Sequence, residues 1–113
     1  VVSHQVTGLR AWLLQRLSAL YLSAYLLWAL VYFSLHPVND YAAWRALWMQ
    51  PSMAIGTALL FIALLVHAWV GVRDVILDYV RPPLLRLSLL ALLWGWLLVL
   101  AVWLARILTR VTP

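Results

Sequence analysis

Charged residues are absent from three stretches of the chain, 17–33, 53–72 and 87–105, and gather in the segments between and around them. About 20 apolar residues in a helix cross a ~30 Å hydrocarbon core. Each stretch meets that length once its flanks are added, which predicts spans at about residues 9–35, 53–79 and 84–108. Prolines punctuate them. His36-Pro37 ends the first run, because proline disfavours helix in the residue before it. Pro51 precedes the second, and the third starts at the Pro82-Pro83 turn, proline being favoured in a first helical turn. In the connection 36–51, Asn39 or Asp40 is placed to cap a helical turn or two carrying Tyr41, Trp44 and Trp48 on one side. That composition suits the membrane interface. The fold class is all-α, with one domain over residues 1–113 and no internal repeat.

The second span differs from the others in its pattern. At ~100° per residue, Gly56, Leu60, Ala63, His67, Gly71, Asp74 and Asp78 fall within about 40° of one line. Small residues let another backbone or a flat cofactor come close. Ionisable groups in a membrane segment face a partner or a cavity. The third span is apolar all round, the mark of lipid-facing or packing surface.

Composition narrows the class. The 113 residues are 67% hydrophobic and 10% charged, against roughly 25% charged in soluble domains, so the chain is an integral membrane protein. All eight basic residues are arginine, and the net charge is +5. They flank apolar runs singly instead of forming a stripe, which reads as lipid-headgroup and topology signalling and not as a nucleic-acid surface. Arg10, Arg16, Arg73, Arg81 and Arg86 lie on one side and Arg45, Arg106 and Arg110 on the other. That excess places the N-terminus and the second loop in the cytoplasm. The chain has no cysteine, which excludes a disulfide, a thiolate-held iron–sulfur cluster and a covalently attached c-type haem within it. The first run is too long for a signal peptide and lacks a small-residue cleavage site.

His67 is the histidine inside a span. It lies twelve residues before Tyr79, or ~18 Å, close to the midplane of a ~30 Å core. Three readings are open: a neutral imidazole bonded to a neighbouring helix, a proton relay, or an axial ligand of haem iron with Ala63 and Gly71 leaving room for a porphyrin. His4 and His36 fall outside the spans, so a haem on His67 requires its second histidine from another polypeptide. Asp78-Tyr79 has two readings: an interfacial tyrosine whose neighbouring carboxylate pairs with Arg81, which is the commoner arrangement, or a phenol donating to a ligand carbonyl at the membrane surface. Tyr21, Tyr25, Trp28 and Tyr32 form a stripe on the first helix and are read as packing or an interfacial anchor. Arg16, Ala19 and Ser23, on another face, are read as a contact surface.

His67-Ala68-Trp69-Val70-Gly71, Asp78-Tyr79-Val80-Arg81-Pro82 and Leu85-Arg86-Leu87, together with Arg16-Leu17-Ser18-Ala19 in the first span, resemble the small hydrophobic membrane-anchor subunit, of the cytochrome b556 type, of bacterial succinate dehydrogenase, respiratory complex II. The resemblance covers nearly the whole chain. It implies a three-helix anchor packing with a sister subunit into a bundle in the bacterial inner membrane. His67 would be one axial ligand of a haem b shared with that sister subunit. Arg16 would face a haem propionate. Tyr79 would help bind ubiquinone, with Asp78 close to the pocket and an iron–sulfur subunit and a flavoprotein subunit as further partners. On this reading the chain is not an enzyme by itself. Arg73-Asp74 departs from the aromatic and amide that relatives carry, which alters the polarity of the pocket. Two alternatives stand beside it: an anchor of quinol:fumarate reductase, and a cofactor-free structural anchor.

Overall fold

The computed structural model describes residues 2–111, with side chains from residue 8 to 110. Its helices are α1 (Val2–Leu35), α2 (Tyr41–Met49), α3 (Pro51–Tyr79) and α4 (Pro83–Val111). The three long ones each contain a stretch of membrane-crossing length and apolarity, Gly8–Leu35, Pro51–Tyr79 and Pro83–Arg110, so the chain is a multi-pass membrane protein.

The ends follow local chemistry. α1 stops before Pro37, with the His36 amide still bonded to the Tyr32 carbonyl at 2.8 Å. Asp40 caps α2, its carboxylate accepting from the Ala43 amide at 2.7 Å, which satisfies one of the orphan donors of a helix start. Pro51 and Pro83 open α3 and α4, where a missing N–H costs nothing and the fixed φ suits helix. α1 starts at Val2, ahead of the span predicted from 9; residues 2–7 contain neither glycine nor proline to end a helix. The side chain of His4 lies outside the described residues.

α3 stands in the middle. It packs against α1 on one side and α4 on the other, α2 folds across the end of α3, and among the described residues α1 and α4 do not meet. The molecule measures 53 × 24 × 21 Å, long enough for a bilayer of ~40–45 Å with its headgroups. Little is enclosed: Ser18, Leu47, Met53, Thr57, Val70, Ile76 and Leu97 are the buried side chains among the described residues. Large hydrophobics cover the outside of all three long helices, as expected of surfaces meeting lipid or another chain.

Candidate functional site

The patterned face of α3 is turned toward α1. Tyr21 of α1 donates to the Gly56 carbonyl at 2.6 Å, and the Tyr25 and Thr57 hydroxyls bond at 2.7 Å. Two tyrosines of the aromatic stripe are therefore packing residues, as expected. The stripe continues as a ladder of rings, Tyr25–Trp28 at 5.6 Å, Trp28–Tyr32 at 5.0 Å and Tyr32–His36 at 4.7 Å. Ser18 and Tyr25 are seven residues apart, two turns, which puts both on the α3 side of α1.

Ser18 meets His67. The Ser18 hydroxyl lies 3.2 Å from His67 Nδ1 and 3.1 Å from the Gln15 carbonyl. Ser18 is 6% exposed and His67 is half-buried. Nε2 of His67 has no hydrogen-bond partner among the described residues. One turn on, a Cβ at Gly71 would stand 3.4 Å from Gln15 Nε2. The space expected beside Gly71 for a porphyrin is thus filled by the Gln15 carboxamide, whose Oε1 is buried without a partner among the described residues. Ala63 instead lines an open groove of about 250 Å³ between α1 and α3, with Ser18, Leu17, Tyr21 and Ile62.

His36 is eighteen residues along α1 from Ser18, ~27 Å at the helical rise. No cluster of three histidine, cysteine or carboxylate groups occurs among the described residues. A metal on His67 would need its remaining ligands from outside the described residues. Arg16 lies two residues from Ser18, about 160° round the helix. Its guanidinium sits 5.4 Å over the Trp12 ring and is not paired with a carboxylate among the described residues. The structure does not bring Arg16 and His67 together within this chain.

At the far end of α3, Tyr79 is 80% exposed and Asp78 is exposed beside it. Neither side chain has a hydrogen-bond partner among the described residues. The Asp78–Arg81 ion pair is not formed: Arg81 lies beyond the helix end, in the extended turn. The acid that is paired is Asp74, with Arg73 at 3.1 Å. Arg86 holds the turn, its Nη2 donating to the Leu77 carbonyl and its Nε to the Val80 carbonyl, both at 3.0 Å. A cation on orphan carbonyls at a helix C-terminus is favourable. Sequence reasoning missed the roles of Ser18, Gln15 and Arg86. The heptad spacing of Ser18 and Tyr25 was the signal for the first, and an arginine in the turn of helix after Pro82-Pro83 was the signal for the last.

Comparison with known proteins agrees with this architecture. The family model for the succinate dehydrogenase/fumarate reductase transmembrane subunit matches residues 2–105. A succinate dehydrogenase hydrophobic membrane anchor subunit from Coxiella burnetii is 34% identical over 82 residues, 73% of this chain and 71% of its own length. Three membrane-length helices and a match over most of the chain lead to one assignment: the protein belongs to the family of succinate dehydrogenase/fumarate reductase transmembrane subunits, as a membrane anchor and not a catalytic subunit.

Proposed function

We propose that the chain anchors a succinate:quinone oxidoreductase in a bacterial inner membrane, with His67 as one axial ligand of a b-type haem and Tyr79 and Asp78 in the wall of a ubiquinone site. The observation that carries the reading is the state of His67. It is a mid-span imidazole with Nδ1 engaged by Ser18 and Nε2 unpartnered among the described residues. An unsatisfied polar nitrogen at that depth is costly, so Nε2 calls for a group from outside this chain. The half-buried ring fits a cofactor held between two subunits better than one enclosed here. When bound, haem supplies a one-electron redox centre inside the membrane.

The residues of this chain then divide the work. His67 would hold the iron, with a second histidine supplied by a sister anchor subunit. Arg16, outward-facing and without a carboxylate partner among the described residues, is available to a propionate at the contact surface. Tyr79 presents its O–H at the helix end, where a quinone ring meets the membrane surface while its tail stays in lipid. Asp78 lies beside it, and Arg86 keeps the turn in place. The Arg73–Asp74 ion pair neutralises the acid one turn away. Iron–sulfur and flavoprotein subunits, docking at the Tyr79 end, would oxidise succinate and deliver electrons. With the N-terminus and that end in the cytoplasm, a phosphatase fused to the C-terminus is active in the periplasm; activity of a cytoplasm-only reporter there inverts the topology.

The test of the haem reading is His67→Ala in the assembled complex. The reduced-minus-oxidised bands and the low-spin axial-ligand signal should shift or disappear, while succinate oxidation by a soluble dye continues. An unchanged spectrum in an intact complex rules His67 out as a ligand.

A further inference from the structure

We infer that Ser18 is a positioning residue for the His67 imidazole, fixing the tautomer and the donor strength with which it meets iron. The inference rests on the haem reading above and adds to it a residue outside the ligand set.

It starts from proton accounting. The Ser18 hydroxyl has one proton and two polar neighbours, the Gln15 carbonyl at 3.1 Å and His67 Nδ1 at 3.2 Å. A carbonyl only accepts. The one arrangement that makes both contacts hydrogen bonds sends the hydroxyl proton to Gln15 and the Nδ1 proton to Ser18. His67 is then the Nδ1–H tautomer, and Nε2 carries the lone pair that a metal needs.

The surroundings hold this arrangement. Ser18 is 6% exposed, so water does not compete for its oxygen. Bonding back to the carbonyl three residues earlier is a habit of serine in helices, so the hydroxyl points one way before His67 arrives. The Tyr21–Gly56 and Tyr25–Thr57 bonds set the depth of α1 against α3 on one side of the pair. The Gln15 carboxamide lies against Gly71 on the other.

The chemical consequence follows from general behaviour of metal-bound histidine. A hydrogen bond accepted from the distal N–H orients the ring and raises the basicity of the ligating nitrogen. A hydroxyl that is itself donating is a better acceptor, because bonds in a chain polarise one another. A more basic imidazole stabilises ferric over ferrous iron. Ser18 therefore holds the haem potential below the value His67 would set alone.

The experiment compares Ser18→Ala, Ser18→Thr and His67→Ala in the assembled complex, reading haem midpoint potential and the low-spin electron paramagnetic resonance signal. Ser18→Ala should retain haem with a more positive potential and a displaced signal, and should lose haem roughly tenfold faster under detergent dialysis. Ser18→Thr keeps the hydroxyl and should restore native values. If Ser18→Ala does not assemble, Ser18→Cys, close in size but a weak acceptor, should show the same positive displacement. Native potential and signal in Ser18→Ala, or in Ser18→Cys where it replaces it, overturn the inference, as does a threonine variant displaced as far as alanine. Should His67→Ala keep the native signal, the haem reading itself fails and takes the Ser18 inference with it. Should His67→Ala lose it while Ser18→Ala is native, the Ser18 inference alone fails.

Discussion

The two faces of α3 are joined to their neighbours by different physics. On the α1 side the contacts are polar: three side-chain hydrogen bonds, from Ser18, Tyr21 and Tyr25, with Tyr25 and Gln15 lying against Gly56 and Gly71. On the α4 side the contact is dry. Trp69 and Trp94 meet at 4.6 Å, and with Leu65 and Leu97 they edge a groove of about 230 Å³ that this chain does not fill. Among the described residues, the side-chain hydrogen bonds between these two helices are those of Arg86 at the connecting turn. In lipid an apolar contact gains little over contact with acyl chains, whereas small-residue packing and interhelical hydrogen bonds select one depth and one rotation. The α1 seam can therefore hold a histidine at a set depth. The α4 seam relies on its short turn and the Arg86 clamp.

The largest structural effect should come from spoiling the close approach. Gly71→Leu forces a branched side chain against Gln15, at the typical overpacking cost of about 1–3 kcal/mol, and should also disturb the His67 signal. Gly71→Ala should be nearly silent, because its Cβ would meet only the movable end of Gln15 at 3.4 Å. Unfolding by dodecyl sulfate in mixed micelles separates the two; equal effects would mean that the seam is not closely spaced in the membrane.

Next in size is Tyr79→Phe, at the turn end of the dry seam. A neutral hydrogen bond contributes roughly 0.5–1.5 kcal/mol, so quinone reduction should fall several-fold to about tenfold. Electron transfer from succinate to a dye on the same preparation should be spared. Unchanged quinone kinetics would return Tyr79 to an ordinary interfacial tyrosine.

The smallest effects compare the seams directly. Tyr25→Phe removes the bond to Thr57 and should cost about 0.6 kcal/mol, the usual value for such bonds between membrane helices. Trp94→Leu, an apolar exchange at a half-open groove, should stay within ~0.5 kcal/mol. If Trp94→Leu proves the costlier in the same unfolding assay, the dry seam is the stronger one and the contrast between the two faces is reversed.

The outline of the molecule was legible in advance wherever the rule is local. Apolar run length marked three spans, Pro37, Pro51 and Pro83 marked their ends, and Asn39-Asp40 announced α2, with Asp40 as the cap. The face of α3 bearing Gly56, Ala63, His67 and Gly71 stood out because helical period depends only on spacing. Its occupant did not. The same small residues that suit a porphyrin also suit another helix, and Gln15 and Tyr25 of α1 take the places beside Gly71 and Gly56. An Asp78–Arg81 pair was a fair expectation for a continuing helix; the chain leaves helix at Val80, so the two side chains are no longer neighbours on one face.

By itself the sequence determined that this is a membrane protein of three long helices with one imidazole at mid-depth, since apolarity, length and proline act residue by residue. Only the tertiary structure decided that Ser18 answers His67 and that Arg86 reaches back to cap α3. Each depends on how one helix is turned and raised against another. That choice is made jointly by contacts 49 residues apart for Ser18 and His67, and 9 for Arg86 and Leu77, and no short stretch of the chain encodes it.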